Sequence, residues 1–213
     1  MKKRLVVGIS GASCVCLAIQ LLEEIRQFDH WETHLVMSNG ARRTIQEETD
    51  CTADAVCELA TKVYDIKDIG ASIASGTFKV EGMVVVPCSM KTVAGIAHGY
   101  ADNLLLRAAD VNIKERRKLV LLARETPLSA IHLRNMTELV NVGAVVMPPM
   151  LTYYNKPQCM KDMNTHIIGK VLNEFGLELP KFKRWYSGSE STGKHVNGEP
   201  SGDPFDGLRI AEL

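Results

Sequence analysis

The sequence predicts an α/β fold, a Rossmann-like (flavodoxin-like) parallel sheet with helices on both faces in three layers. Three observations carry that expectation. Residues 5–9, 83–86 and 119–123 are short runs that are apolar throughout rather than alternating, as strands buried on both faces must be. Each run breaks into small or hydroxyl-bearing residues. Each break is followed by a segment with helical periodicity, so strand and helix alternate along the chain.

The first unit, Arg4-Leu5-Val6-Val7-Gly8-Ile9-Ser10-Gly11-Ala12-Ser13, reads as a strand running into a small-residue turn, with a helix over residues 15–24. A strand, a glycine-containing turn and a helix N-terminus make an anion site, because uncovered backbone N–H groups and the helix dipole both favour negative charge. A tight turn without a ligand is the alternative. The spacing is not GxGxxG, which favours a phosphate or mononucleotide over a dinucleotide.

Residues 33–37 read as the second strand, ending at Ser38-Asn39-Gly40. Residues 41–47 and 52–61 follow as helices, with Thr52 or Asp50 as cap. Residues 64–80 are weakly patterned and include Ala74-Ser75-Gly76-Thr77, in keeping with a loop. Gly82-Met83-Val84-Val85-Val86-Pro87 is the clearest central strand, opening through Cys88-Ser89-Met90-Lys91-Thr92 into a helix towards His98. Residues 103–111 continue as helix, 118–123 as strand, 129–140 as helix, 143–147 as the last strand and 160–175 as the closing helix. From Ser187 onward glycine, serine, proline and charge dominate, so the expected division is a domain over 1–186 and a flexible or partner-dependent tail over 187–213.

Composition narrows the function classes. The 213 residues are 46% hydrophobic and 23% charged, enough for one full core. Twenty-five basic and 25 acidic residues give zero net charge, which argues against nucleic acid as the main partner. No apolar run reaches the length of a membrane span, and Met1-Lys2-Lys3 leads directly into a strand. The six cysteines show neither a CxxC pair nor zinc spacing with the six histidines. Reduced thiols and a cytoplasmic location follow as expectations.

In an open α/β sheet, ligands gather beyond the carboxyl ends of the strands. Those ends carry Ser10 to Ser13, Ser38-Asn39, Cys88 to Thr92, Arg124-Glu125 and Pro148 to Tyr154. Hydroxyls, an arginine and aromatic rings suit a phosphorylated ligand with a flat ring system and do not suit a metal. Cys88 could be an activated thiol, but small packing is the favoured reading. Glu48, beside Glu47 at a helix end, sits badly against the dipole, which points to a functional carboxylate. His132 and His166 read as helix positions without a metal or triad pattern.

Six motifs recur in order: Gly11-Ala12-Ser13, Pro87-Cys88-Ser89-Met90-Lys91-Thr92, Arg107-Ala108-Ala109-Asp110, Lys114-Glu115-Arg116-Arg117, Arg124-Glu125-Thr126-Pro127-Leu128 and Ile131-His132-Leu133. Together they resemble the UbiX/Pad family of flavin prenyltransferases, including those that accompany hydroxyarylic acid decarboxylases, over roughly residues 3–185. The resemblance implies a flavoprotein decarboxylase-type fold, a homododecamer with active sites at subunit junctions, and no metal. It implies reduced FMN and dimethylallyl phosphate as substrates, prenylation at flavin N5 and C6, and delivery of prenylated FMN to a UbiD-type decarboxylase.

By the same resemblance, FMN contacts Gly11, Ala12, Ser13, Ser38, Ser89, Met90, Lys91, Thr92 and Arg124. The prenyl phosphate meets Ser13, Ser75, Arg107, Lys114, Glu125, Tyr154 and Lys170, and Glu48 serves proton transfer as a buried carboxylate. Ser13, Glu48 and Glu125 form the catalytic set. Phosphate-ester ionisation needs cations and hydroxyls on the leaving group, and an allylic cation needs a π-rich, water-poor pocket. Three departures stand out. Cys14 replaces the usual glycine, with ordinary right-handed dihedrals expected just inside a helix. Arg134 replaces a glutamate, and Lys170 replaces an arginine, exchanging a fork for a point charge. The rival readings are a non-catalytic FMN-binding subunit and a flavin-dependent decarboxylase acting directly, including one acting on cysteine residues. Residues 147–155 lack the Asn-Thr-Met clamp of the latter.

Overall fold

The apolar runs form one sheet of six strands, all paired in parallel, in the order β3-β2-β1-β4-β5-β6. These are β1 (Lys3–Ile9), β2 (Trp31–Met37), β3 (Lys62–Tyr64), β4 (Gly82–Cys88), β5 (Lys118–Ala123) and β6 (Val145–Val146). The computed structural model describes residues 2–184. The tail expected over 187–213 lies outside the described residues.

Side chains of successive strand residues go to opposite faces and build two cores. Leu5, Val7, Ile9, Val84 and Val86 pack on one face beneath α1 (Cys16–Ile25), α2 (Asn39–Glu48), α3 (Ala53–Glu58) and α7 (Met160–Glu174). Val6, Met83, Val85 and Leu121 pack on the other beneath α4 (Met90–Ala97), α5 (Leu104–Lys114) and α6 (Ala130–Asn141). Both faces are covered, so β4 is buried at every position and its sequence shows no polar alternation. Pro87 has no N–H to give to the ladder, and the β4–β5 register shifts between Val85 and Cys88.

Two readings of the sequence need correction. The helix expected over 52–61 ends at Glu58, and residues 62–64 form β3, pairing with His34, Leu35 and Val36. An edge strand of three residues with exposed Lys62 and Val63 carries no apolar run to announce it. The last strand is two residues, Val145–Val146, not the five expected.

The strand order places β1 beside β4, while the chain leaves β1 towards β2 and β4 towards β5. The sheet therefore reverses its direction of winding between β1 and β4, and a crevice opens beyond their carboxyl ends. Among the described residues no helix is long and apolar enough to cross a membrane.

Candidate functional site

A cavity of about 620 Å³ occupies that crevice. Ser10 and Gly11 enter it from the end of β1, Ser38, Asn39 and Gly40 from β2, and Ser89, Lys91 and Thr92 from β4. Ser10 ties two of these ends together. Its hydroxyl donates to the Pro87 carbonyl at 3.0 Å and accepts from the Ser89 N–H at 2.7 Å. Gly11 lies against Gly40, and a Cβ on Gly11 would come within 2.9 Å of the Gly40 Cα. Glycine is required there because two backbones meet, not because a turn needs it.

Three helices begin at this cavity, each with a polar cap. The Ser38 hydroxyl accepts from Ala41 N–H at the start of α2, Ser89 from Thr92 N–H at α4, and Asn103 Oδ1 from Leu106 N–H at α5. One cap satisfies one of the four free N–H groups of a helix end, so each terminus keeps uncovered donors and the positive end of its dipole. Lys67 and Lys91 add two cations, while Ile66, Leu105 and Leu106 supply an apolar wall. Phosphate-seeking donors beside an apolar wall fit a phosphorylated ligand with a flat ring system. Flavin mononucleotide has that chemistry, and the residues present suit it.

The N-terminus of α1, which the sequence reading reserves for phosphate, holds a carboxylate instead. Glu48 Oε2 accepts from Cys14 N–H at 2.9 Å and from Val15 N–H at 3.2 Å. That contact resolves the unfavourable position of Glu48 at the end of α2, since its charge is taken up by the start of α1. Glu48 is exposed in this chain, not buried as expected. The backbone expectation for Cys14 is also overturned. Helix α1 starts at Cys16, and Cys14 has φ +81°, a left-handed conformation that glycine adopts without strain. Its half-buried side chain packs against the core beneath α1. Burial raises the Cys14 thiol pKa and Cys16 adds to the rise, while the nearby charge of Arg124 opposes them.

Of the nine residues assigned to FMN by resemblance, Gly11, Ser38, Ser89, Lys91 and Thr92 line the cavity. Ala12 and Ser13 are half-buried in the turn beyond it, Met90 is buried in the core under α4, and Arg124 follows β5 with its N–H on the Cys88 carbonyl. Glu125 is exposed and accepts from the Thr126 N–H. Cys88 has no exposed surface and burial pushes its thiol far above the ordinary value, in line with packing.

The prenyl-phosphate residues do not gather around this cavity in one chain. Lys114 closes α5, four residues before β5 begins, so it stands at the amino end of the sheet. At 1.5 Å per residue that is about 15 Å down α5 from the cavity. Ser75 precedes Gly76, which lies against Lys114 there. Arg107, one turn into α5, pairs with Asp110. Tyr154 and Lys170 lie with α7 on the opposite face of the sheet, Tyr154 edge-on to the His166 ring with its hydroxyl 3.3 Å from Nε2. Burial, then the charge of Lys170, lowers the His166 pKa.

Lys67, Asn103 and Leu105 line the cavity, and sequence reasoning does not single them out as ligand contacts. Asn103 alone carries a readable signal, an Asn immediately before a helical pattern. Among the described residues no group of three His, Cys, Asp or Glu side chains is placed to hold a metal ion.

Comparison with known proteins adds four findings. The family model described as Flavoprotein matches residues 1–173. A probable UbiX-like flavin prenyltransferase of Sedimentibacter hydroxybenzoicus is 54% identical over 182 residues, covering 85% of this chain and 96% of the relative. The crystal structure of AnUbiX in complex with FMN and dimethylallyl pyrophosphate superposes with a TM-score of 0.85 at 47% identity, covering 87% of this chain and 98% of that one. A dodecameric FMN-dependent UbiX-like decarboxylase from Escherichia coli O157:H7 gives 0.84 at 49% identity, covering 85% and 98%.

Proposed function

The chain belongs to the Flavoprotein family and to its UbiX-like flavin prenyltransferases, and on that basis we propose how its residues divide the reaction. It is a transferase that joins a dimethylallyl group from dimethylallyl phosphate to reduced FMN. The observation that carries the reading is the convergence of three capped helix N-termini on one cavity at the reversal point of the sheet.

In this reading the cavity holds the flavin phosphate on the free N–H groups of α2, α4 and α5, with Lys67 and Lys91 beside them. Bound reduced flavin supplies the nucleophilic ring positions N5 and C6. Ser13 and Arg124, beside the flavin site, and Ser75, Arg107, Lys114, Glu125, Tyr154 and Lys170 receive the prenyl phosphate. Cations and hydroxyls on its oxygens take up the charge that develops as the ester bond breaks. Tyr154 offers a ring face to positive charge on the prenyl carbon. Glu48, fixed by the N–H groups of Cys14 and Val15, is oriented to accept or return a proton beside the flavin site.

Ser75 and Lys114 on one face of the sheet, and Tyr154 and Lys170 on the other, require neighbouring copies to reach a flavin. The chain works as a homo-oligomer, and the dodecamer of the Escherichia coli relative is the arrangement we propose for it. Exposed Ile131, Val140, Met150, Leu151 and Tyr153 provide apolar surface for such contacts. The product passes to a UbiD-type aromatic acid decarboxylase in the cytoplasm.

The test is direct. Incubated anaerobically with reduced FMN and dimethylallyl phosphate, the full chain is expected to release phosphate and yield a flavin heavier by one prenyl unit. Incubated with hydroxybenzoates and no partner, it is expected to release no carbon dioxide. Carbon dioxide release with unchanged flavin mass would replace this reading with direct decarboxylation.

A further inference from the structure

Arg117, in the loop before β5, has no role in the division of labour above, yet its side chain makes two long-range contacts. Nη2 donates to the Gly76 carbonyl at 2.5 Å and Nη1 to the Phe78 carbonyl at 3.0 Å. A planar fork on two carbonyls of one loop fixes that loop in position and orientation, which a single point charge cannot do. Within the same loop the Ser75 hydroxyl lies 2.8 Å from the Thr77 hydroxyl, so two hydroxyls stand together.

Gly76 faces the end of α5. Lys114 pairs with Glu115 directly over its Cα, and a Cβ at this position would collide with the Glu115 carboxylate and come 2.8 Å from Lys114 Nζ. The backbone of Gly76 is not in the left-handed region, so the absence of a side chain serves the approach of this ion pair. Contact with Lys114 also lowers the Glu115 pKa. A loop carrying two hydroxyls thus lies against a helix end carrying an ammonium, and Arg117 ties that loop down.

We propose that Arg117 is a positioning residue for the prenyl-phosphate site, holding the 75–77 loop against Lys114, and that Gly76 leaves the space in which Lys114 lies. The inference rests on the reading that Ser75 and Lys114 meet the prenyl phosphate. It adds two residues that touch no substrate but set where two substrate contacts stand. Arg117→Lys keeps the charge and loses the fork. Gly76→Ala keeps Arg117 and displaces Lys114, without backbone strain.

The experiment measures steady-state prenyl transfer at saturating reduced FMN with dimethylallyl phosphate varied, alongside FMN titration and thermal melting. Both variants are expected to raise KM for dimethylallyl phosphate by about tenfold and to lower kcat far less than removal of Lys114 does, because the phosphate contact is shifted rather than lost. FMN affinity and melting temperature are expected to stay at wild-type values, since the flavin cavity is at the other end of α5. An unchanged KM in both variants overturns the inference. So does a fall in FMN affinity or melting temperature in step with KM, which would make Arg117 a general structural tie. Failure of the underlying reading is separately visible: Lys114→Ala would then leave KM for dimethylallyl phosphate and prenyl transfer at wild-type values.

Discussion

The flavin cavity and the Lys114 cluster stand at opposite ends of α5 and are built on opposite principles. The cavity is made of backbone: three helix starts, two touching glycines and a serine that bridges two strands. Sheet topology brings its lining together from within one chain. The Lys114 cluster is made of side chains: the Lys114–Glu115 ion pair, the Ser75 and Thr77 hydroxyls and the Arg117 fork. Exposed ion pairs contribute little to stability, so such a cluster is justified only by what docks on it. In the proposed reading, one chain therefore supplies the cavity for the flavin but only contributes to prenyl-phosphate sites elsewhere.

Subunit complementation puts the most weight on that contrast. Glu48→Gln and Lys114→Ala are each expected to lower prenyl transfer by about 100-fold or more, through loss of a proton carrier and of a leaving-group cation. Co-expressed, the two variants are expected to regain about a quarter of wild-type activity, the share of junctions that receive both intact residues in a random oligomer. No recovery in the mixed oligomer would place both residues in one protomer's site.

Gly11→Ala attacks the backbone half of the comparison. Its Cβ meets the Gly40 main chain, which cannot swing aside as a side chain would. FMN affinity is expected to fall by about tenfold or more, since the loops carrying two helix starts must separate. Fluorescence titration checks this, and wild-type affinity would mean that the Gly11–Gly40 contact does not shape the site.

Lys170→Ala is expected to weaken dimethylallyl phosphate by about 1–2 kcal/mol while leaving FMN affinity unchanged. Lys170→Arg, which restores the fork of the family, is expected to bind it at least as tightly as wild type. KM measurements separate the two outcomes.

Cys14→Gly removes the left-handed strain at the turn and is expected to stabilise the fold by about 1 kcal/mol, which calorimetry would read as a rise of about 2–4 °C. Acid sensitivity is a subtler matter still. Burial lowers the pKa of His34 and of His166 below the ordinary 6.5. Both are neutral in the folded chain where the unfolded chain already binds protons, so their contribution is complete above about pH 6.5 and is lost as pH falls below it. Thermal melts between pH 7.5 and 5.5 are expected to show that decline, and His34→Gln to flatten it. A decline of equal slope in the variant would exclude His34 as a source.

The class of fold, the central strands and the five cavity residues Gly11, Ser38, Ser89, Lys91 and Thr92 are legible in the amino-acid order, because burial on both faces and helix capping leave local patterns. Burial and capping are properties of a strand or a helix end and are written within a few residues. Tertiary packing settles what depends on residues far apart in the chain. Edge strand β3 forms because β2 offers it a partner, not because residues 62–64 are apolar. Cys14 takes a left-handed backbone because Glu48, 34 residues away, draws its N–H and that of Val15 onto one carboxylate. Met90, legible as a ligand contact, goes into the core because α4 turns that face onto the sheet. Lys114 meets Gly76 at the amino end of the sheet because the length of α5 carries it away from the cavity. Distance along a helix is fixed by its rise per residue, whereas the copy that faces Lys114 is fixed only by assembly.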